Sequence, residues 1–178
     1  MRIVILAGGE GRRMGGGKPQ RLLAGETLLD RALRRARSWS GEVLVAARGG
    51  GDIADDPAIA GPLGGVAAAL ALGGDVLTIP CDMPFLPDDL PVRLVSDKAV
   101  TVASSGGRLH PVCALWTARA RDGLPAYLAT GRRSLTGFAE AVGCQAVEWL
   151  ARSPDYFFNI NDLDDLKQAG RWLDRTRE

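Results

Sequence analysis

A glycine-rich loop near the start of the chain is the segment best suited to bind a phosphate group. It follows residues 3–7, a short apolar run that predicts a buried strand, and it extends to residue 18. Closely spaced glycines let backbone N–H groups face a ligand, and no acidic residue occurs between positions 11 and 25. The loop also carries three cations, Arg12, Arg13 and Lys18. A flexible, solvated turn is the simpler interpretation, but the strand, the cations and a following helix favour a polyphosphate site.

Two common phosphate-binding motifs do not match this loop. A dinucleotide fingerprint that starts at Gly9 needs its third glycine at position 14, where the chain has Met14. A Walker A loop that ends at Lys18 needs glycine at position 12 and serine or threonine at position 19. The chain has Arg12 and Pro19 there. The loop therefore belongs to neither class.

Carboxylate and amide side chains supply further candidate contacts. Asp82 comes just after the apolar residues 76–79 and stands between two prolines, at the edge where α/β sheets bind ligands. A carboxylate there could also cap or turn the backbone. Asn159 and Asn161 alternate on an extended segment, so both amides can project the same way, although asparagine is common in turns. We expect all three side chains to contribute to the same site.

Histidine and cysteine give weaker signals. His110 is the only histidine, and it precedes Pro111 and an apolar strand, where a structural hydrogen bond is as plausible as a chemical role. The cysteines, Cys81, Cys113 and Cys144, are widely separated and lack CxxC spacing, which favours neither a disulfide framework nor a zinc site. No general base is assigned, and a reducing cytoplasm fits best.

The elements that must position these groups alternate between strand and helix. The predicted strands are residues 3–7, 43–47, 76–79, 100–103, 112–116 and 145–149, and the predicted helices are 27–39, 61–72, 88–95, 117–128, 134–142 and 164–173. This alternation predicts a three-layer, Rossmann-like α/β fold with a mostly parallel central sheet. The length of 178 residues, without a linker or repeat, predicts one domain over residues 1–178.

The charge balance argues against several classes of partner. Lys and Arg number 22 against 21 for Asp and Glu, and a net charge of +1 indicates neither a nucleic acid nor an anionic membrane as partner. No apolar run reaches the roughly 20 residues that a membrane span requires. We therefore expect a cytoplasmic protein whose phosphate chemistry comes from a local site.

Several short motifs occur in one order along almost the whole chain. The loop reads Leu-Ala-Gly-Gly-x-Gly-x-Arg-Met-Gly over residues 6–15, followed by Lys18. The later motifs are Gly61-Pro62-Leu63-Gly64-Gly65, Cys81-Asp82-Met83-Pro84, His110-Pro111, Gly131-Arg132-Arg133 and Asn159-Ile160-Asn161. This set resembles the nucleotidyltransferase superfamily, and the Leu-Ala-Gly-Gly form is similar to its molybdenum cofactor guanylyltransferase branch.

The resemblance implies a reaction and a set of site residues. Such enzymes transfer GMP from GTP to molybdopterin, release pyrophosphate and use Mg²⁺, and a molybdoenzyme or a cofactor-insertion protein is a possible partner. The implied catalytic residues are Arg13, Lys18 and Asp82, with Asp82 also the metal ligand. The implied nucleotide contacts are Leu6, Ala7, Gly8, Gly9, Lys18, Asp56, Gly61, Pro62, Leu63 and Asp82, and the acceptor contacts are Asn159 and Asn161.

The sequence departs from the family pattern in places. The usual Asp-Lys pair of the loop has Gly17 at its first position, and the asparagine expected at the end of the second strand is an alanine, Ala46 or Ala47. The aspartate that contacts the base or ribose is Asp55 or Asp56, and Asp56 is favoured because a proline follows it. Two alternatives stay open: transfer of another nucleotide, such as CMP, to a related phosphate acceptor, and a nucleotide-binding accessory protein without catalysis.

Overall fold

The computed structural model describes residues 1–9 and 15–175, so Arg13 lies outside the described residues. The strands are β1 (Arg2–Leu6), β2 (Leu22–Leu23), β3 (Glu26–Thr27), β4 (Val43–Ala47), β5 (Ile53–Ala54), β6 (Val76–Pro80), β7 (Val100–Ser105), β8 (Arg108–Trp116) and β9 (Cys144–Trp149). The helices are α1 (Leu28–Trp39), α2 (Pro62–Ala71), α3 (Leu90–Arg93), α4 (Ala118–Ala129), α5 (Leu135–Ala141) and α6 (Leu163–Arg175). None of the helices in the described ranges is long and apolar enough to cross a bilayer.

Seven of the described strands form one central sheet, in the order β5-β4-β1-β6-β8-β7-β9. β1 pairs in parallel with β4 and β6, whereas β8 is antiparallel to both of its neighbours, β6 and β7. The middle of β1 and all of β6 are buried, which is the pattern of strands covered on both faces. The predicted three-layer α/β fold with a mostly parallel sheet is confirmed.

Alternate residues of β1 belong to different cores. Ile3 and Ile5 share a buried cluster with Ala32 of α1, whereas Val4 shares one with Ala69 of α2. α4 and α5 extend the second layer over β7 and β8. Successive residues of β1 therefore face opposite layers, with α1 packed on one side and α2 on the other.

The differences from the predicted elements have local causes. The helix expected at 88–95 is the single turn α3, and β8 begins at Arg108 rather than at residue 112. Pro111 lies within β8, where it cannot donate to the ladder, and the register with β7 shifts between Val102 and Ala103 in that region. The unpredicted strands β2, β3 and β5 contain two residues each, too few to show a period.

Candidate active site

A cavity of about 190 Å³ lies at the carboxyl ends of β1, β4 and β6. α/β sheets bind ligands at this edge because the loops that follow parallel strands meet there. Seven residues predicted from the sequence line the cavity: Leu6, Gly8, Gly9, Gly61, Pro62, Asp82 and Asn159. The site therefore gathers segments from both ends of the chain.

Lys18, Asp82 and Asn159 form a polar cluster beside this cavity. Lys18 Nζ lies 2.5 Å from Asp82 Oδ2 and 3.5 Å from Asn159 Oδ1. The exposed fraction is 11% for the Lys18 side chain and 16% for that of Asp82. Because a lysine ammonium can only donate, the amide oxygen of Asn159 faces it, and the amide NH₂ group is turned away from Lys18. The cluster thus joins a cation, a carboxylate and an amide donor, groups that suit phosphate and its counterion.

Three distant segments bring the cluster together. Lys18 opens a short 3₁₀ turn, Lys18–Gln20, after the glycine loop. Asp82 follows β6 by two residues, and Asn159 lies on the segment that leads to α6. Ile160, next to Asn159, donates its N–H to the Asp82 carbonyl at 3.0 Å. This backbone bond fixes the amide of Asn159 close to the carboxylate.

Asp82 has the properties of a metal ligand. Its Oδ1 is buried without a hydrogen-bond partner, a costly state unless a ligand satisfies it. The described residues contain no group of three or more His, Cys, Asp or Glu side chains that could hold a metal. Mg²⁺ often keeps several waters, however, and binds one or two carboxylates together with substrate phosphates. The donor set therefore fits Mg²⁺ that binds along with a nucleotide.

Asp55 rather than Asp56 lines the cavity, which reverses the preference drawn from the sequence. A Cβ atom added to Gly8 would lie 2.1 Å from Asp55 Oδ2, and one added to Gly65 would lie 3.1 Å from Oδ1. The carboxylate thus packs directly against both glycines, and its Oδ1 is buried without a hydrogen-bond partner. Burial raises the pKa of Asp55, and the positive charge of Arg48 opposes that rise.

Asp56 shapes the turn before α2. Its carboxylate accepts the Ala58 N–H at 2.9 Å, and its own N–H donates to the Gly64 carbonyl at 3.2 Å. Such aspartate turns commonly precede proline and helix starts. The proline that favoured Asp56 in the sequence is therefore a sign of the turn.

Two other predicted contacts, Ala7 and Leu63, place their side chains in the core, with exposed fractions of 8% and 0%. They support the cavity walls from behind. Gly61 has a φ of 75°, which lets the chain enter α2 with Pro62 in the first turn. The N-terminus of α2 therefore lies at the cavity, where its partial positive charge favours an anion.

The two asparagines are not equivalent. Asn159 lines the cavity, whereas Asn161 is exposed and donates its amide N–H to the Asn159 carbonyl at 3.1 Å. Asp162 caps α6, because its carboxylate accepts the N–H groups of Asp164 and Asp165 at 2.9 Å each. Of the two predicted acceptor contacts, the structure brings Asn159 alone to the cavity lining.

Four lining residues had no assigned role in the sequence: Arg48, Gly65, Pro80 and Val112. Arg48 comes directly after β4, and a cation at the end of a parallel strand was the overlooked signal. Gly65 stood inside a recognised motif without a role. Val112 lies in the irregular part of β8 beside Pro111, and no pattern identified it.

The buried cysteines do not provide a nucleophile. Burial raises the pKa of Cys81 to about 12 and raises the pKa of Cys113 well above its usual value. Since the thiolate is the reactive form, both stay unreactive near neutral pH.

Residues 3–142 match the family model of the MobA-like NTP transferase domain. The chain belongs to this family. A relative from Acidiphilium cryptum, named molybdenum cofactor guanylyltransferase, is 40% identical, with 96% of this chain and 95% of the relative covered. A relative of the same name from Cereibacter sphaeroides is 39% identical, with 93% of each chain covered. The resemblance inferred from the motifs is confirmed.

Solved structures show how widely the fold of this MobA-like chain is shared. The molybdopterin-guanine dinucleotide biosynthesis protein A from Archaeoglobus fulgidus superposes with a TM-score of 0.81 at 24% identity, covering 98% of this chain and all (100%) of that one. The 2-C-methyl-D-erythritol 4-phosphate cytidylyltransferase from Thermus thermophilus superposes with a TM-score of 0.69 at 21% identity, covering 96% and 97%. The same sheet therefore occurs in proteins whose names specify different nucleotides.

Proposed function

We propose that this MobA-like protein transfers GMP from GTP to molybdopterin with release of pyrophosphate, and that it uses Mg²⁺. The observation that carries the proposal is the Lys18–Asp82–Asn159 cluster at the carboxyl edge of the sheet, in which Asp82 Oδ1 is buried and unpaired. The choice of nucleotide and acceptor is supported by the names of relatives that are 39% and 40% identical.

The proposed reaction depends on alignment and charge neutralisation. The terminal phosphate of molybdopterin is ionised near neutral pH, so it can attack the α-phosphorus of GTP without a general base. The bond from the α-phosphorus to the bridging oxygen breaks, and pyrophosphate leaves with the electron pair. Bound at Asp82, Mg²⁺ supplies positive charge for the phosphates.

The other side chains of the cluster bind the two phosphate groups that react. Lys18 donates to the triphosphate and offsets the charge that develops on the departing pyrophosphate. Asn159 uses its NH₂ group, which is turned away from Lys18, to hold the acceptor phosphate in line. Arg13, which lies outside the described residues, is proposed to act beside Lys18 on the triphosphate.

We further propose that Asp55 selects guanine. The carboxylate has a buried oxygen without a partner, and guanine offers two adjacent donors on one edge, the ring N–H and the exocyclic NH₂ group. Those donors would satisfy Asp55 and stabilise its charged form, whereas cytosine lacks the paired arrangement. The steric closeness of Gly8 and Gly65 holds the carboxylate in one position for this contact.

Turnover with several nucleotides tests the reaction. With molybdopterin and Mg²⁺, GTP is expected to give pyrophosphate and the guanine dinucleotide, and CTP is expected to give much less. A preference for CTP would support the cytidylyl alternative. Tight GTP binding without pyrophosphate release, in the presence of the acceptor, would identify an accessory protein that does not catalyse transfer.

Inosine triphosphate tests the role of Asp55, because hypoxanthine lacks the exocyclic NH₂ group. The wild-type protein is expected to bind GTP more tightly than ITP, and Asp55→Asn is expected to reduce that difference. If the variant weakens GTP and ITP binding equally, Asp55 contacts the ribose or shapes the cavity, and the base assignment fails.

We also propose that the protein acts in the cytoplasm and that it passes its dinucleotide product to a molybdoenzyme or a cofactor-insertion protein. The product is a finished cofactor, so a protein that binds it must take it up next. A transfer assay with an apo-molybdoenzyme is expected to show faster uptake of labelled dinucleotide from this protein than from free solution. Equal rates would argue against direct transfer.

A further inference from the structure

A second polar cluster lies outside the cavity lining, between the β7–β8 hairpin and the segment before α6. His110 Nε2 lies 2.9 Å from Ser105 Oγ, and Ser105 Oγ lies 3.2 Å from the nearer carboxylate oxygen of Asp155. The His110 ring stacks on Phe157, with 4.6 Å between ring centroids and 13° between planes. His110, Ser105 and Phe157 are all buried.

The order of the hydrogen bonds excludes a hydrolytic triad. Such a triad has the imidazole between the serine and the carboxylate, whereas here the Ser105 hydroxyl lies between His110 and Asp155. The hydroxyl has one proton, which it donates to the Asp155 carboxylate, so its oxygen accepts from the His110 Nε2–H. Burial lowers the pKa of His110, which favours the neutral ring, although Asp155 opposes this shift. The cluster is therefore a fixed chain of hydrogen bonds.

That chain anchors the segment that carries Asn159. Asp155 Oδ1 also accepts the Phe157 N–H at 2.8 Å, and the Asp155 carbonyl accepts the Phe158 N–H at 3.2 Å. Two residues further on, Ile160 bonds to the carbonyl of Asp82. The 155–160 segment is thus tied to the hairpin at one end and to the Asp82 backbone at the other, with Asn159 next to the second tie.

We propose that His110 and Ser105 are positioning residues that hold the 155–160 segment so that Asn159 meets the acceptor phosphate. Neither side chain contacts the cavity, and both act through Asp155 and Phe157. The inference rests on the proposed function, because it assigns the acceptor side of that same site. Loss of one hydrogen bond between His110, Ser105 and Asp155 is expected to loosen Asn159, whereas Gly8, Asp55 and the start of α2 keep their places.

His110→Phe and Ser105→Ala test the proposal. The first keeps a ring that can stack on Phe157 but removes the N–H donor, and the second removes the hydroxyl. Ser104→Ala is the matched control, since the neighbouring Ser104 bonds to Glu148 on the other side of β7. The measurements are the KM for molybdopterin, the Kd for GTP and the melting temperature of each variant.

Both test variants are expected to raise the acceptor KM about fivefold, as the loss of one buried hydrogen bond would. The Kd for GTP should stay within about twofold, since the nucleotide side does not depend on this chain. In His110→Gln the amide can donate in place of the Nε2–H, so the acceptor KM should return most of the way to the wild-type value. In an Asn159→Ala background, His110→Phe should add no further rise, because its effect passes through Asn159.

A lower melting temperature with an unchanged acceptor KM would show a purely structural role and overturn the proposal, as would additive effects with Asn159→Ala. If the wild-type protein does not turn over GTP with molybdopterin, the proposed function fails, and hydrogen exchange decides the positioning role separately. Faster amide exchange over residues 155–160 in His110→Phe, but not in Ser104→Ala, would support the tie. Equal exchange in both variants would overturn it.

Discussion

The two sides of the cavity are built in different ways. The proposed nucleotide side consists of backbone and one carboxylate in direct contact, since Asp55 packs on Gly8 and Gly65 and leaves no room for a methyl group at Gly8. The proposed acceptor side consists of one amide, Asn159, on a segment held by separate hydrogen bonds. A wall held by steric contact is displaced by a single added methyl group, whereas a segment held by separate hydrogen bonds becomes less well positioned with each bond that is lost. Substitutions should therefore affect the two sides separately.

Asp82 belongs to both sides, so Asp82→Asn should have the largest effect. The substitution deletes the negative charge of the candidate metal ligand with little change of volume, and transfer should fall by roughly a thousandfold. The Asp82 backbone carbonyl still accepts from Ile160, so circular dichroism should show an intact fold. Asp97→Asn, at a carboxylate with an exposed fraction of 87%, is the control. Near-normal Mg²⁺-dependent turnover would show that the metal lies elsewhere.

Lys18→Ala should have the next largest effect, because Lys18 contacts both Asp82 and Asn159. We expect about a hundredfold slower transfer and weaker GTP binding, since a buried cation is lost from the triphosphate site. Arg13→Ala should act in the same direction. Lys98→Ala removes a half-exposed lysine far from the cluster and should change neither quantity. Unchanged GTP affinity and rate in both loop variants would contradict the phosphate-binding loop.

Asn159→Ala should separate the acceptor side from the nucleotide side. The variant loses the amide that faces the cavity, so transfer should fall about tenfold and the acceptor KM should rise, while the Kd for GTP changes much less. Asn161→Ala is the matched variant and should have a smaller effect, because its amide is exposed and bonds to the Asn159 carbonyl. If Asn159→Ala instead lost GTP binding and kept its acceptor affinity, the two sides would be reversed.

The sequence predicted one side of this comparison better than the other. Motifs near Gly8 and Gly61 predicted residues that line the proposed nucleotide wall, because those residues are local to two loop starts. The choice between Asp55 and Asp56 depended on β5, because Asp55 directly follows this strand and donates its N–H to the Ala47 carbonyl at 3.1 Å, which decides which carboxylate faces the cavity. A strand of two residues leaves no pattern, so the orientation could not be deduced.

On the acceptor side, the missing information was long-range. The pattern of alternation suggested that Asn159 and Asn161 project together, but the bond from Ile160 to Asp82 places Asn159 at the site, and Asn161 folds back on the segment. His110 contacts Ser105 at the end of β7 and Phe157 on the segment before α6. The sequence does not show that these residues meet, so the role of His110 stayed open. The large elements, in contrast, were predictable because burial on both faces leaves continuous apolar runs.

Gly8→Ala tests the steric wall on the nucleotide side. The added methyl would lie 2.1 Å from Asp55 Oδ2, so the carboxylate must move, and the Kd for GTP should rise about tenfold while the acceptor KM stays nearly constant. Gly41→Ala is the matched control, because Gly41 is not part of the cavity lining and a Cβ there meets no atom of the described residues within 4 Å. Equal effects of the two substitutions on calorimetric GTP binding would remove the argument for a close contact between Gly8 and Asp55.

The smallest expected effect is a pH-dependent gain in stability from Asp55→Asn without ligand. Burial raises the pKa of Asp55 in the folded protein, so at neutral pH the fold keeps a charge that the unfolded chain solvates better. That penalty is fully present above the folded pKa and is lost as the pH falls through it toward the unfolded value. Removing the charge should therefore raise the melting temperature slightly at pH 7, and the gain should shrink near pH 4.

Asp56→Asn is the matched variant for this measurement. An asparagine oxygen can still accept the Ala58 N–H that Asp56 accepts now, so its melting temperature should change little at either pH. If Asp55→Asn lowered the melting temperature at pH 7, the attraction between Asp55 and Arg48 would outweigh the cost of burial. The nucleotide wall would then be held by charge as well as by steric contact, and the contrast with the hydrogen-bonded acceptor side would narrow.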